Sequence, residues 1–129
     1  MDRANLGLFD LAERRLDWAA QRQTVLAANI ANASTPGYQA KDLLPFAQAL
    51  AQAGSGTLRR THPNHLAMAG AGRYRPKDDN TAPRMPDGND ITLDVQLTRV
   101  ADTETIEATV TAIYKKYMSL FSIALGRSS

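Results

Sequence analysis

Two stretches of heptad-patterned apolar residues, one near each end of the chain, are separated by a segment dense in Gly, Pro and Asn. That arrangement restricts the fold more than any single motif. Apolar side chains spaced three and four apart line one face of a helix, and such a face needs a partner. The breakers in between prevent either helix from running through the middle. At 129 residues the chain is expected to form one domain. The class is therefore all-α, with helices built to pack against other helices, chiefly those of other copies. Hydrophobic residues make up 43% of the chain, but many are alanine and the larger ones cluster at the two ends. A core made by one chain alone is expected to be modest.

The N-terminal pattern reads Phe9, Ala12, Leu16, Ala19, Gln23, Leu26, Ile30 and Ala33, a heptad seam with one polar interruption at Gln23. Phe9, Ala12, Leu16, Ala19, Leu26 and Ile30 are the candidate assembly residues on this helix. Small residues at Ala12, Ala19 and Ala33 would let a partner helix approach closely. Trp18 and Val25 widen the stripe, while Arg14, Arg15, Asp17 and Arg22 fall off the seam. A helix over residues 8–33 spans about 39 Å at about 1.5 Å per residue. It ends at Asn29, Asn32, Ser34, Thr35, Pro36 and Gly37. Pro36 biases Thr35 away from helical dihedrals. The Pro-Gly pair predicts a tight turn of type II with Gly37 at positive φ. Asn29 and Asn32 sit where side-chain amides reach terminal carbonyls or a neighbouring chain.

The C-terminal stripe runs through Leu93, Leu97, Val100, Thr103, Ile106, Val110, Ile113, Tyr117, Leu120 and Ala124. Repeated spacings of three between residues 97 and 106 shift the face around the helix. Leu97, Val100, Ile106, Val110, Ile113, Tyr117 and Leu120 are the candidate assembly residues here. Tyr114, Met118 and Phe121 add a second apolar edge, wide enough for more than one neighbour. Thr92 is the expected N-cap, Asp94 complements the first turn, Lys115 and Lys116 suit the C-terminal half, and Gly126 is the expected stop. Six threonines from Thr92 to Thr111 lower intrinsic helix preference, so this helix is expected to draw stability from a partner.

Residues 39–90 show neither helical nor strand periodicity over most of their length. Asp42 to Gln52 is a candidate short helix whose start Pro45 limits, and Ala51 to Gly56 reads as a flexible link. Residues 70–90 combine low apolar content with dense breakers and predict an exposed loop that Tyr74 and Met85 would anchor once a partner is present. His62 and His65 have Pro63 between them and no nearby third ligand, so no metal and no cofactor are expected. Gly70-Ala71-Gly72 lacks the lysine and the strand-to-helix context of a phosphate loop. Asp78 with Asp79, and His62 with His65, lack any orienting or nucleophile pattern, which argues against an enzyme.

Charge and composition exclude further classes. Residues 1–75 hold nine basic and five acidic side chains, and residues 76–129 hold six and eight. The balance of +4 against −2 favours head-to-tail contact between copies but specifies no nucleic acid. The absence of cysteine excludes disulfides, thiolate metal sites and cysteine nucleophiles. No apolar run reaches the roughly 18 residues of a membrane span. The N-terminal sequence lacks the tripartite layout of a cleavable signal peptide. Export would need a route that does not read one.

The run ANIANASTPGYQAKDL at residues 28–43 resembles the N-terminal signature of the flagellar rod, hook and hook–filament junction family. Asn29, Asn32, Ala33, Thr35, Pro36, Gly37 and Tyr38 carry that motif. TLRRTHPNHL at residues 57–66, PDGNDITLD at residues 86–94 and TAIYKKYMSLFSIALG at residues 111–126 are further blocks similar to proximal-rod members. Ile113, Tyr114, Tyr117 and Met118 depart from the usual pattern of the last block, and Val95 and Thr98 dilute the start of the C-terminal helix. The resemblance implies a structural subunit of the proximal rod of the bacterial flagellar basal body, in the periplasm, transmitting torque and lining the export channel. It implies that long N- and C-terminal helices, residues 1–38 and 91–129, pack as an antiparallel pair or coiled coil around the irregular segment 39–90. The partners implied are other flagellar rod subunits, the rod-to-ring adaptor, the membrane ring and the flagellar type III export apparatus. Another rod or hook-type subunit, and a helical adaptor or chaperone that never enters the rod, are the alternatives.

Overall fold

The computed structural model describes residues 3–55, 74–81 and 91–126, with side chains for residues 7–52, 74–81 and 91–126. Two long helices dominate. Helix α1 spans Arg3–Ala31 and helix α3 spans Leu93–Ala124, with a shorter α2 at Phe46–Ser55. At about 1.5 Å per residue the long helices measure roughly 43 and 48 Å. They run antiparallel: Phe9 meets the Tyr114 ring, Arg22 reaches Thr103, and Asn29 bonds Gln96. Each step forward on α1 is matched by a step backward on α3.

The expected stops and starts have clear local causes. After α1, the Tyr38 amide donates to the Thr35 carbonyl at 3.2 Å and Gly37 takes φ 75°, the left-handed value a type II turn requires. Asn32 Nδ2 donates to the Ala28 carbonyl at 2.8 Å and so satisfies the fraying last turn. Thr92 occupies the N-cap of α3 in extended geometry, without a side-chain cap bond, and Asp94 lies in the first turn. Gly126 has φ 71° just past the C-cap. The threonine hydroxyls of α3 are accommodated within the helix: Thr98, Thr103, Thr105 and Thr109 each donate to the carbonyl four residues back.

The described parts of the connecting segment hold more regular structure than the sequence announces. Helix α2 begins directly after Pro45, whose carbonyl accepts from Ala49 at 3.0 Å, and it runs on through Ala51–Ser55, where a flexible link is predicted. Strands β1 (Lys41–Asp42) and β2 (Lys77–Asp78) pair antiparallel, placing Lys41 opposite Asp78 and Asp42 opposite Lys77. Opposite charges at facing positions favour this register. Two residues are too short to show strand periodicity, which is why the pairing has no sequence signal.

Tyr74 corrects a second expectation. It is only 6% exposed, buried within the chain rather than awaiting a partner. Its hydroxyl donates to the Arg14 carbonyl at 3.2 Å, and its own carbonyl accepts from Gln21 Nε2 at 2.6 Å. It joins Trp18, Ala19, Leu43, Phe46 and Ala49 in the main core, with Val25, Leu44, Leu50 and Ile106 packed around them. The core therefore lies against one flank of α1 and takes four of its six members from the connecting segment. Trp18 and Phe46 meet edge to face at 6.1 Å, and Trp18 Nε1 donates to the Leu44 carbonyl at 2.9 Å.

Candidate assembly interface

The predicted N-terminal seam divides by depth. Ala19 and Leu26 are 0% exposed, so their packing is completed within the chain. Phe9, Ala12, Leu16 and Ile30 are half-buried. The fully inward residues of α1 are Trp18, Ala19, Leu26 and Asn29: Ala19 and Leu26 lie on the heptad seam, and Trp18 and Asn29, each one position before a seam residue, rotate the buried face toward the Trp18 edge. The rotation arises because α1 contacts two surfaces, α3 on one side and the β1–α2 segment on the other.

The predicted C-terminal stripe divides differently. Val100, Ile106 and Val110 lie half-buried along the inward row with Tyr114, and Tyr114 meets Phe9 at 5.2 Å with the rings 75° apart. Thr103 and Gln96 are the fully buried members of that row. Leu97, Ile113, Tyr117 and Leu120 are exposed instead, together with Leu93, Met118, Ile123 and Leu125. At 100° per residue, Ile113, Tyr117 and Leu120 lie on one flank of the inward row and Met118 on the other. Helix α3 thus uses its middle edge for α1 and leaves apolar edges on both sides. Leu120 at 52% and Ile123 at 65% exposure are large side chains with no intrachain reason to face outward.

Of the motif residues, Asn29 has the largest structural role. It is fully buried. Its Nδ2 donates to the Lys41 carbonyl at 2.7 Å and to Gln96 Oε1 at 2.9 Å, while its Oδ1 accepts from the Lys41 amide at 3.0 Å. The side-chain amide therefore acts as a peptide group, pairing β1 as a neighbouring strand would while tying it to α3. Asn32 and Thr35 bond each other at 3.2 Å, Ala33 and Tyr38 are half-buried, and Pro36 and Gly37 form the exposed turn. The motif folds the chain back onto its own helix pair and leaves an exposed corner at Pro36 and Gly37.

An ionic network that sequence spacing does not reveal holds the same region. Arg22 clamps Asp42 with two bonds, Nε to Oδ1 at 2.9 Å and Nη2 to Oδ2 at 2.8 Å. Arg99 pairs with Asp79 and lies 3.5 Å from Asp42 Oδ2, and Arg22 Nη1 reaches Thr103 Oγ1 at 3.5 Å. Four charges from α1, β1, the residue after β2 and α3 thus interlock. The hydrogen bond to Asp42 raises the Arg22 pKa further above its usual value. Burial pushes the Asp79 carboxyl upward, but hydrogen bonds from Thr81 and Arg99 and the Arg99 charge outweigh it and hold the group below its ordinary value. The partners are 20 residues or more apart, so no helical spacing announces them.

Among the described residues there is no group of three or more His, Asp or Glu placed to hold a metal ion, and no helix is long and apolar enough to cross a membrane. His62, His65, Met85 and the Gly70–Gly72 run lie outside the described residues. The chemistry on display is apolar burial and charge pairing, the means of protein–protein assembly.

Comparison with known proteins points the same way. A family model described as flagella basal body rod protein matches residues 9–39, which cover most of α1 and the turn after it. A flagellar basal body rod protein FlgB of Yersinia ruckeri is 36% identical over 109 aligned residues, covering 74% of this chain and 77% of that protein. FlgB of Salmonella typhimurium is 36% identical over 104 aligned residues, covering 70% and 72%. A stronger but shorter match, 51% over 61 residues, links the chain to FlgB of Agrobacterium fabrum and spans 45% of that protein.

Proposed function

The chain belongs to the FlgB family of flagellar basal body rod proteins, and from that premise we propose that the apolar edges of α3 are its docking surfaces in the rod. It is a structural subunit of the proximal rod, assembling with other rod components. Helices α1 and α3 form the stiff unit, and the Asn29 motif with the four-charge network clasps the connecting segment onto it. The observation that carries this reading is the outward row of large apolar residues on the C-terminal half of α3. A half-exposed Leu, Ile or Met has roughly 1 kcal/mol still to gain on burial, so five such residues supply on the order of 5 kcal/mol to assembly.

Contacts between unlike surfaces of successive subunits extend into an open helix rather than closing. Such a tube transmits torque along its helix pairs and encloses a channel. The rod-to-ring adaptor and membrane ring are the neighbours we assign at the base, with delivery into the periplasm by the flagellar type III export apparatus. The test is a double substitution, Leu120→Glu with Ile123→Glu. Surface changes of this kind alter stability by about 0.5 kcal/mol or less, so circular dichroism should be unchanged while the protein disappears from purified basal bodies and motility is lost. Incorporation at the wild-type level would refute the role of this edge. A folded wild-type chain missing from intact basal bodies would favour an adaptor or chaperone instead.

A further inference from the structure

A second apolar feature adjoins the four-charge network, sharing Arg15 and Phe46 with the cleft that the network lines. Leu8, Leu11 and Ala12 of α1, Phe46 of α2, and Val110 and Ile113 of α3 line an open groove of about 220 Å³. Arg15 borders it. The Arg15 guanidinium lies over the Phe46 ring at 4.7 Å and the Trp18 ring at 5.1 Å, and among the described residues it pairs with no carboxylate. The groove is thus an apolar slot with a positioned cation at its border.

One surface of the same chain has the complementary form. At the N-terminal end of α3, Leu93 and Leu97 are half-exposed one helical turn apart, and Asp94 is exposed beside them on the same arc. Asp94 has no ion-pair partner among the described residues. Resting on the rod-subunit reading above, we infer that the groove receives Leu93 and Leu97 of a second copy, with Asp94 of that copy paired to Arg15.

The geometry makes this contact intermolecular and head-to-tail. Leu11 and Ile113 share the groove. Leu97 precedes Ile113 by sixteen positions on the same straight helix, about 24 Å along its axis. Within one chain, then, Leu97 cannot reach Leu11. Between copies, the contact joins two different patches and leaves a free patch of each kind at the ends, which propagates a filament. The excess of basic residues in the first part of the chain and of acidic residues in the last favours the same polarity.

The chain contains no cysteine, so introduced thiols are the only ones. Cells co-expressing Leu11→Cys and Leu97→Cys chains should give a disulfide-linked dimer of this protein in purified basal bodies after mild oxidation, and neither variant alone should. A disulfide needs Cα atoms within about 7 Å, so the bond reports the proposed contact. A charge exchange supplies the second readout: Arg15→Asp and Asp94→Arg should each lower incorporation several-fold, and the two together should restore it. Basal bodies that contain the protein but give no dimer, link Leu11→Cys to a different protein, or show no rescue by the double exchange would overturn the contact while leaving the rod reading intact. Basal bodies without the protein would overturn both.

Discussion

Replacing Asn29 isolates the contribution of one buried amide to the whole arrangement. Asn29→Ala removes three hydrogen bonds and leaves the Lys41 amide, the Lys41 carbonyl and Gln96 Oε1 without their partner. A fully buried orphan such as Gln96 Oε1 costs about 1–3 kcal/mol, and the two part-buried Lys41 groups cost roughly half as much each. The sum is about 2–6 kcal/mol, a large share of the roughly 5–15 kcal/mol that holds a domain together. Asn29→Asp is the sharper variant because it keeps the shape. One carboxylate oxygen would keep the Lys41 amide as donor, but the other would face the Lys41 carbonyl and Gln96 Oε1, two acceptors, in a buried site. Burial against two acceptors outweighs the single donor and raises the folded-state pKa above the ordinary value, near 3.9 in the unfolded chain. A group whose folded pKa is raised stabilises at low pH and loses that contribution as pH rises through the folded value. Asn29→Asp should therefore be badly destabilised at pH 7 and recover on acidification toward pH 5. Urea unfolding, followed by circular dichroism and by the single tryptophan, Trp18, reads both effects. A loss under about 1 kcal/mol for Asn29→Ala, or no recovery of Asn29→Asp at low pH, would refute the peptide-mimic role, since orphaned buried groups cost more than that.

Three further outcomes follow from the same contacts. Asp42→Ala leaves Arg22 and Arg99 facing each other without their shared carboxylate; it should cost roughly 2–4 kcal/mol in urea unfolding, less than a fully buried pair because each side chain keeps some solvent contact. Asp79 has a depressed folded pKa, so its stabilisation is complete above about pH 5 and is lost as pH falls through the folded value; Asp79→Asn should flatten the acid limb of the stability profile in that window. Gly37→Ala meets no atom within 4 Å, so its cost is the backbone dihedral alone, about 1 kcal/mol by thermal unfolding.

Local chemistry made much of the scaffold legible in advance. The stops at Pro36-Gly37 and Gly126 and the start at Thr92 depend on dihedral limits of adjacent residues, and the long helices on periodic apolar spacing. Neighbouring residues settle both without reference to the rest of the chain. The turn motif at residues 28–43 was equally readable, and it carried the family resemblance.

What depended on the folded chain was the use of those elements. The stripe on α3 has two apolar edges, and spacing alone does not select Tyr114 over Ile113 to meet Phe9; the position of α1 selects it. Asn29 reads as a helix-ending residue, yet its two main partners are 12 and 67 positions away. Arg22 falls off the heptad seam and no local spacing pairs it or Arg99; only the return of β1 and β2 across the helix pair brings Asp42 and Asp79 beside them. Tyr74 sits in a stretch of breakers whose composition predicts exposure, but one aromatic ring with a donor hydroxyl finds both a cavity and an acceptor against α1. The sequence by itself determined the helices, their ends and their outward apolar surplus, because those are short-range properties. Tertiary structure alone decided which face is spent inside the chain and which is left for a neighbour, because that choice depends on contacts between residues far apart along the chain.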